Sequence, residues 1–289
     1  KEIAKHRIDC QLTLSDYSME LENMVKERTD ELLAVMSEQQ RLSAELDLAS
    51  DIQNSMLPDV YPVFPDRKEF DIHTFIETAV EVGGDLFNYK MLDDDHLMMV
   101  IADVCGKGIP AALFMVKITT LISAVSKDIK TAGEIASTVN NLICENNKED
   151  LFATGFVMVA EISTGKITYC SAGHNPPVIM RKGENAMFLE PTPNMVLGAM
   201  GGIPYKEEST TLNPGDAILL YTDGVDEAMD KDKNQYGPER LLSLLGDFDG
   251  ATSSALDLTT MVRKDVAKFV NGEEQSDDIT MVSFVYKGK

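Results

Sequence analysis

Residues 18–57 contain neither glycine nor proline, the two residues that most often end a helix. Apolar residues recur in this stretch at alternating spacings of four and three, the a/d pattern of a coiled coil. At about 1.5 Å per residue, the stretch predicts a helix roughly 60 Å long. Its seam positions are Leu21, Val25, Arg28, Leu32, Val35, Gln39, Leu42, Leu46 and Ala49.

Two polar residues, Arg28 and Gln39, interrupt this apolar seam. Polar seam residues cost stability, but they can fix the register of a coiled coil or permit two registers. Because the seam is long and narrow, we favour a parallel homodimer over a single helix packed on its own domain. Prolines from Pro58 onward end the helix. We therefore divide the chain into a helical linker and dimerisation segment, 1–57, and a globular domain, 58–289.

The globular domain combines short apolar strands with compact helices. Strand hairpins mixed with helix pairs indicate a layered α+β domain rather than alternating βαβ units. The predicted strands are 70–76, 86–92, 96–103, 154–162, 166–172, 177–183, 217–223 and one from Asp278 onward, and the predicted helices are 110–126, 132–147, 237–246 and 253–270.

The chain is strongly acidic, with 48 Asp and Glu residues against 26 Lys and Arg and a formal net charge of −22. Proteins that bind nucleic acid carry a basic surface that displaces counterions from phosphates. Since the sequence shows no such patch, we expect no nucleic-acid partner. An anionic membrane surface is disfavoured for the same reason.

The cysteines are far apart and form no CxxC motif, a pattern more typical of the reducing cytoplasm than of a disulfide-bonded protein. Lys117 and two threonines interrupt the apolar stretch 109–126, so we predict a buried helix there rather than a membrane span. No signal peptide opens the chain, and we expect a cytoplasmic location. The absence of an initial Met suggests a fragment of a longer protein. The cysteines are Cys10, Cys105, Cys144 and Cys170.

Several aspartates stand at the ends of apolar strands. One such residue is usually a turn former, but several spread over a domain could converge at one end of a sheet. Their charges would repel strongly in a cleft of low dielectric, and one or two divalent cations would remove that repulsion. These aspartates are Asp85, Asp103, Asp223, Asp277 and Asp278.

Three interpretations of Asp103 compete. A nucleotide-binding strand would need a GxxxxGK[ST] loop, but Ile101 stands at the first glycine and Gly108 at the Ser/Thr position. A receiver-type phosphoacceptor would need alternating strands and helices. A metal ligand needs further carboxylates, which are present. Because the four histidines are scattered, oxygen ligands indicate Mg²⁺ or Mn²⁺, and two such ions can activate a water and hold a phosphoryl group.

The motifs VGGDLF, ADVCGKGIPAALFM, SAGHNPP, NPGDAILLYTDGVDEAM and SDDITMV occur in this order. Together they resemble the PPM (protein phosphatase 2C-like) serine/threonine phosphatases, specifically the bacterial SpoIIE/RsbU-type branch, from about residue 46 to the C-terminus. The resemblance implies an αββα sandwich of two antiparallel sheets flanked by helices. It also implies two Mn²⁺ or Mg²⁺ ions in the cleft between the sheets.

The resemblance assigns roles to individual residues. Asp103 and Asp85 would be the catalytic carboxylates, with Asp103 bridging both ions and Asp85 a ligand from the neighbouring strand. The carbonyl of Val104 would bind one ion. Asp223 and Asp277 would complete the ligands of the second ion.

The sequence departs from the better-known eukaryotic members in two places. Cys105 stands where they carry a histidine proposed to protonate the leaving serine, and TAVEVGGD lacks their phosphate-holding arginine. The proton for the leaving group would then come from water, or protonation of the leaving group would be less important for the reaction. Phosphate would rest on the ions, on backbone N–H groups and on Lys107, which fits a solvent-facing loop residue equally well. We favour a strand-start cap for Asp278, a core-shaping turn residue for His174, and an outer or surface acid for Asp226.

The implied reaction is hydrolysis of phosphoserine or phosphothreonine on a protein, without a phosphoenzyme. The resemblance suggests a phosphorylated STAS-type anti-sigma-factor antagonist as substrate, whose release would free a sigma factor. The N-terminal segment resembles the linker after receiver domains, so we expect an upstream receiver or sensor acting through the coiled coil. Two alternatives are a catalytically silent docking module using the same groove, and a metal-dependent nuclease or nucleotide hydrolase, which the acidity and the missing phosphate loop oppose.

Overall fold

The computed structural model describes residues 2–58 and 61–289. Within its first helix the side chains of 4–6, 8–10 and 12 are not described, so those of His6 and Cys10 lie outside the described residues.

Helix α1 (Glu2–Ser55) confirms the long N-terminal helix expected from the sequence. Contacts divide the chain into two compact units, Lys1–Ala49 and Ser50–Lys289. In the first unit, apolar residues of the predicted seam such as Leu32 and Leu42 are exposed on the single chain. The coiled-coil partner and the domain boundary after residue 57 stay predictions.

The second unit contains two five-stranded sheets whose neighbouring strands pair antiparallel. The strands are β1 (Phe70–Glu77), β2 (Leu86–Met91), β3 (His96–Val104), β4 (Ala153–Glu161), β5 (Lys166–Ala172), β6 (Val178–Met180), β7 (Met187–Phe188), β8 (Glu208–Thr211), β9 (Ala217–Tyr221) and β10 (Ile279–Tyr286). The order β2-β3-β4-β5-β8 forms one sheet, called the β3 sheet below, and the order β1-β10-β9-β6-β7 forms the other, called the β10 sheet.

The helices cover the two outer faces of these sheets. The inner cluster of buried side chains joins both sheets to α2 and α3, and a second cluster joins the β10 sheet to α4 and α5. The layers therefore run helix, sheet, sheet, helix, which confirms the αββα sandwich. The helices are α2 (Ile109–Val125), α3 (Ala132–Cys144), α4 (Pro238–Leu245) and α5 (Ala255–Val270).

Strand β9 shows why the strands appear in the sequence as unbroken apolar runs. Ile218 and Leu220 belong to the inner cluster, whereas Leu219 and Tyr221 belong to the cluster under α4 and α5. Alternate side chains of a strand point to opposite faces, and here both faces are covered. Every residue of β9 is accordingly buried.

Helix α2 is a buried helix, as its apolar sequence predicts. The Lys117 ammonium that interrupts the apolar run donates to the carbonyls of Ile143 and Asn146, each at 3.1 Å, where α3 ends. A lysine in this position satisfies carbonyls that have no partner within the helix. Over residues 2–58 and 61–289, no helix is both long and apolar enough to cross a membrane.

Two edge strands, β7 and β8, were not among the predicted elements. Strand β7 has two residues and β8 has the polar sequence ESTT, so neither carries an apolar run. Strand β6 covers only Val178–Met180 of the predicted 177–183, because the chain turns away after Met180.

Candidate metal centre

The predicted ligands come from both sheets and meet at the same end of the sandwich. In the β3 sheet, Leu86 pairs with Ala102, so Asp85 lies beside Asp103. In the β10 sheet, Met281 pairs with Tyr221, which brings Asp223 beside the start of β10. The Thr222 hydroxyl, one residue before Asp223, donates to Asp85 at 2.8 Å, so the two pairs lie close together across the sheets. The charges of Asp223 and Asp277 accordingly raise the pKa of Asp103.

Asp85 is the most buried of the four carboxylates, with 2% of its surface exposed. Its Oδ2 accepts hydrogen bonds from the hydroxyls of Thr222 at 2.8 Å and Thr280 at 2.6 Å. Burial, followed by the charge of Asp103, raises the pKa of Asp85 well above its ordinary value. Both threonines belong to the β10 side, so hydroxyls from one sheet hold the carboxylate of the other.

Asp103 is the last residue but one of β3 and pairs with Thr154 of β4. Burial raises its pKa to about 7, and the charges of Asp223 and Asp277 act in the same direction. A hydrogen bond with Asp85 acts in the opposite direction but is outweighed. Two neighbouring carboxyl groups with raised pKa values indicate a site that lacks positive charge.

Lys107 places a positive charge beside Asp277, whose side chain is partly exposed. Its Nζ lies 3.0 Å from Oδ2 of Asp277 and also donates to the carbonyl of Ser276. Burial and the charge of Asp277 raise the pKa of Asp223, whereas the Lys107 ammonium lowers it. Lys107 therefore connects the loop after β3 with the loop before β10, instead of facing solvent without contacts.

Asp278 has a structural role, as predicted, but it caps a different segment. Its Oδ1 accepts from the backbone N–H of Ala79 at 2.8 Å, and its Oδ2 from that of Gly84 at 2.9 Å. It thus holds the loop before β2 rather than the start of its own strand. A Cβ on Gly83 would lie 2.4 Å from Asp278 Oδ2, so only glycine allows this close approach.

The Val104 carbonyl lies at the same end of the β3 sheet. A Cβ on Gly84 would be 3.0 Å from this oxygen, which places it against the backbone just before Asp85. Cys105 follows on the surface, and its backbone N–H donates to Phe152 at 2.9 Å. The thiol is therefore exposed at the position where the eukaryotic enzymes carry their histidine.

His174 and Asp226 lie behind the four carboxylates. His174 is buried between Thr154, at 2.8 Å from Nδ1, and the carbonyl of Tyr221, at 3.1 Å from Nε2. Burial lowers its pKa to about 4, so the ring is neutral and structural. Burial and then the charge of Asp223 raise the pKa of Asp226 to about 6. Asp226 is half-buried, and its Oδ1 is shielded from solvent without a hydrogen-bond partner.

The donor set fits a hard divalent cation. Within the described part of the chain, no three carboxylate, imidazole or thiol groups enclose an ion as they stand. Nevertheless, the converging donors are all oxygens, the inner carboxyls have raised pKa values, and Asp226 has an unpartnered buried oxygen. The ammonium on Asp277 acts as a stand-in for a cation. Oxygen donors of this type suit Mg²⁺ or Mn²⁺.

Three residues that fix the site were missed at the sequence level. Thr222 and Thr280 are fully buried and bind Asp85. Gln53, near the end of α1, is also buried; its Nε2 donates to the Gly83 carbonyl at 2.7 Å and its Oε1 accepts from the Gly83 N–H at 3.1 Å. The sequence carries no signal that singles them out, because threonine is common in strands and Gln53 stands among other polar residues of a helix.

Comparisons with known proteins agree on one family. Residues 93–286 match the family described as Stage II sporulation protein E (SpoIIE). Protein IcfG of Synechocystis sp. is 29% identical over 270 residues, which cover 84% of this chain and 41% of that protein. Phosphoserine phosphatase RsbU of Bacillus subtilis is 29% identical over 189 residues, which cover 65% of this chain and 55% of RsbU. The chain therefore spans about half the length of these curated relatives.

Solved structures share the fold at lower identity. The SiaA-PP2C domain of Pseudomonas aeruginosa superposes with a TM-score of 0.74 at 21% identity, covering 86% of this chain and 98% of that domain. RsbX in complex with magnesium superposes with a TM-score of 0.57 at 17% identity, covering 77% of this chain and 98% of RsbX.

Proposed function

The chain belongs to the SpoIIE family, and from this premise we propose that it is a metal-dependent protein serine/threonine phosphatase. The proposed reaction is hydrolysis of phosphoserine or phosphothreonine on a partner protein. One observation carries the proposal: Asp85, Asp103, Asp223 and Asp277 converge from two sheets at one end of the sandwich. A silent docking module would have no need for four carboxylates that repel one another.

We propose that these four carboxylates and the Val104 carbonyl would hold the divalent ions, Mn²⁺ or Mg²⁺. When bound, such ions supply a water of lowered pKa and positive charge for the phosphoryl oxygens. The chain's own contribution is to hold its oxygens in place before the ions arrive, chiefly through the hydroxyl donors to Asp85. The exposed Cys105 leaves solvent water as the simplest proton source for the leaving group.

For the substrate we propose a phosphorylated STAS-type anti-sigma-factor antagonist, acting in bacterial partner switching. The support is family membership together with the relative RsbU, which is named a phosphoserine phosphatase. The net charge of −22 argues against a nucleic-acid substrate. The setting we expect for such a reaction is the cytoplasm.

We further propose that α1 forms a homodimeric coiled coil that regulates the site. Most of its predicted seam residues, such as Leu32 and Leu42, are exposed on the single chain, and an apolar stripe of this length normally has a partner. Gln53 provides a link, since it binds both backbone polar groups of Gly83, two residues before Asp85. A receiver or sensor domain upstream would then act by changing the register of α1.

The activity is tested with p-nitrophenyl phosphate, with and without MnCl₂, on the wild-type chain and on Asp103→Asn. We expect turnover that requires Mn²⁺ and is lost in the variant. A phosphorylated STAS-type protein, followed by phosphate release, then tests the substrate class. Turnover of the small ester without turnover of the protein would reject only the substrate, whereas no turnover of either would reject the phosphatase.

The coiled coil is tested with Leu32→Glu, which places a charge in the seam, and with the matched control Leu33→Glu outside the seam. Both leucines are exposed on the single chain, so neither change removes contacts within it. We expect analytical ultracentrifugation to show dissociation of a dimer for Leu32→Glu alone. Equal behaviour of the two variants would reject the predicted seam.

A further inference from the structure

The ligands of the candidate metal centre are divided between two sheets, so the distance between the sheets at this end sets the distance between the ligands. Asp85 and Asp103 belong to the β3 sheet, while Asp223 and Asp277 belong to the β10 sheet. Hydrogen bonds within a sheet cannot fix this separation. Thr222 and Thr280 contact the other sheet at Asp85, and a further group that contacts both sheets is needed beside Asp103.

His174 is such a group, because it lies in the segment that crosses from β5 in one sheet to β6 in the other. Its Nδ1 is 2.8 Å from the hydroxyl of Thr154 in β4, and its Nε2 is 3.1 Å from the carbonyl of Tyr221 in β9. A carbonyl only accepts, so Nε2 carries the proton and Nδ1 accepts from the Thr154 hydroxyl. One neutral imidazole therefore joins a strand of each sheet.

The two partners of His174 are immediate neighbours of the carboxylates. Thr154 stands directly opposite Asp103 in the β3–β4 ladder, and directly opposed residues project to the same face of a sheet. Tyr221 ends β9, two residues before Asp223. The path from one carboxylate to the other thus consists of one strand pair, one ring and two residues of backbone.

The backbone of His174 is held by a residue of β5. The Ser171 hydroxyl accepts from the His174 backbone N–H at 3.2 Å and donates to the His174 carbonyl at 3.3 Å. His174 is only 8% exposed, so water does not compete for either ring nitrogen. The two hydrogen bonds of the ring are therefore shielded from water and hold it in one position.

We propose that His174 is a positioning residue that sets the separation of Asp103 and Asp223, and thereby the affinity of this chain for its divalent ions. The inference rests on the proposed function, because it takes these carboxylates to be ion ligands. His174 touches neither substrate nor ion in this role. It acts through Thr154 and through the end of β9.

The test measures Mn²⁺ affinity of the full chain by isothermal titration calorimetry, alongside thermal unfolding. His174→Ala removes both bonds, and Thr154→Val removes one while keeping the volume of a β-branched residue. We expect both to bind Mn²⁺ about 10–100-fold more weakly, the usual effect of removing a group that orients ligands. Thr154→Ser, which restores the hydroxyl, is expected to recover most of the affinity.

The matched control is His73→Ala. His73 also contacts a threonine hydroxyl, with Nδ1 3.1 Å from Thr259, but its partner lies on α5 and not beside a carboxylate. We expect it to lower stability without changing Mn²⁺ affinity by more than about twofold. This control separates positioning from general destabilisation.

The outcomes are distinct for the two proposals. A folded Thr154→Val chain that binds Mn²⁺ like wild type overturns the role of His174, even if His174→Ala fails to fold. Equal loss of affinity in the His73→Ala control also overturns it, since the effect would then be general. A wild-type chain that binds no Mn²⁺ would reject the proposed function itself.

Discussion

The two sheets contribute different halves of the candidate metal centre. The β3 sheet supplies Asp85 and Asp103, which are desolvated and have raised pKa values. The β10 sheet supplies Asp223 and Asp277; the side chain of Asp277 is 39% exposed and lies against the Lys107 ammonium. The β3 half is thus desolvated and short of positive charge, whereas in the β10 half Asp277 is open and partly neutralised and Asp223 is half-buried, with a pKa that burial also raises.

This difference indicates where the need for a cation arises. Water can stabilise a carboxylate that is two-fifths exposed, but it cannot reach one that is buried beside another carboxylate. The β3 half therefore gains most from an ion, whereas the β10 half can adjust its side chains around it. Four experiments test this comparison, from the largest expected effect to the smallest.

The first is Asp103→Asn compared with Asp277→Asn. We expect Asp103→Asn to lower Mn²⁺-dependent turnover by about 10³-fold or more, because it removes the charge of a proposed ligand in the desolvated half. Asp277→Asn, in the open half, should lower it by about 10–100-fold. Steady-state kinetics with p-nitrophenyl phosphate measures both. Asp216→Asn, at a buried aspartate paired with Arg181, is the control and should leave turnover unchanged. Equal losses in the first two variants would contradict the comparison.

The second is the pH dependence of stability without metal. The pKa of Asp103 is about 7 in the fold against 3.8 ordinarily, so the folded chain binds more protons than the unfolded chain between these values. Stability relative to Asp103→Asn should therefore fall as pH rises from about 4 to 7, by on the order of 4 kcal/mol.

Urea unfolding of the wild-type and Asp103→Asn chains at several pH values, in a chelator, measures this difference. His174, whose pKa is lowered to about 4, gives the opposite slope, with stability lost as pH falls from about 6.5. It is present in both chains, so its contribution cancels in the difference. A stability difference that does not change with pH would show that folding does not raise the pKa of Asp103.

The third is Thr280→Val, which removes a donor to Asp85 without changing the shape of the side chain much. We expect Mn²⁺ affinity to fall about 10–100-fold, because the carboxylate is no longer oriented. Thr259→Val is the matched control, a fully buried threonine that bonds to Ser283 instead. Calorimetric titration distinguishes the two, and similar affinities in both variants would mean that Asp85 needs no orientation.

The smallest effect is expected from Lys107→Ala. Because the ammonium and the ion compete for Asp277, the Mn²⁺ concentration for half-maximal turnover should fall about two- to fivefold, in line with a half-exposed ion pair. Lys127→Ala, at an exposed lysine just after the C-terminal end of α2, is the control. A loss of turnover at saturating Mn²⁺ would instead support the alternative from the sequence, in which Lys107 contacts phosphate.

The sequence was sufficient for the layers and the carboxylates, for a physical reason. Strands such as β3 and β9 are covered on both faces, so they appear as apolar runs, and an acid at the end of such a run is conspicuous. Asp226 was harder to place: its sequence position suggested an outer or surface acid, yet it is half-buried and its Oδ1 is shielded from solvent. Burial of a loop residue depends on elements that are distant in sequence.

The residues that orient the ligands could not be predicted in the same way. Thr222 and Thr280 have good strand propensity, so as strand residues they attract no attention. Their importance depends on the register of β9 against β10 and on the packing of one sheet over the other. Gln53 likewise has an ordinary place in a helix, and only the loop around Gly83 gives it a partner.

Gly224 lies so close to the backbone of Asp278 that this position tolerates no side chain. A methyl group added there would lie 2.0 Å from the backbone oxygen of Asp278. Because backbone atoms cannot move away as the end of a flexible side chain can, even alanine would force apart the segment after β9 and the segment before β10. The loop that carries Asp223 and the loop that carries Asp277 can therefore approach this closely only because residue 224 has no Cβ.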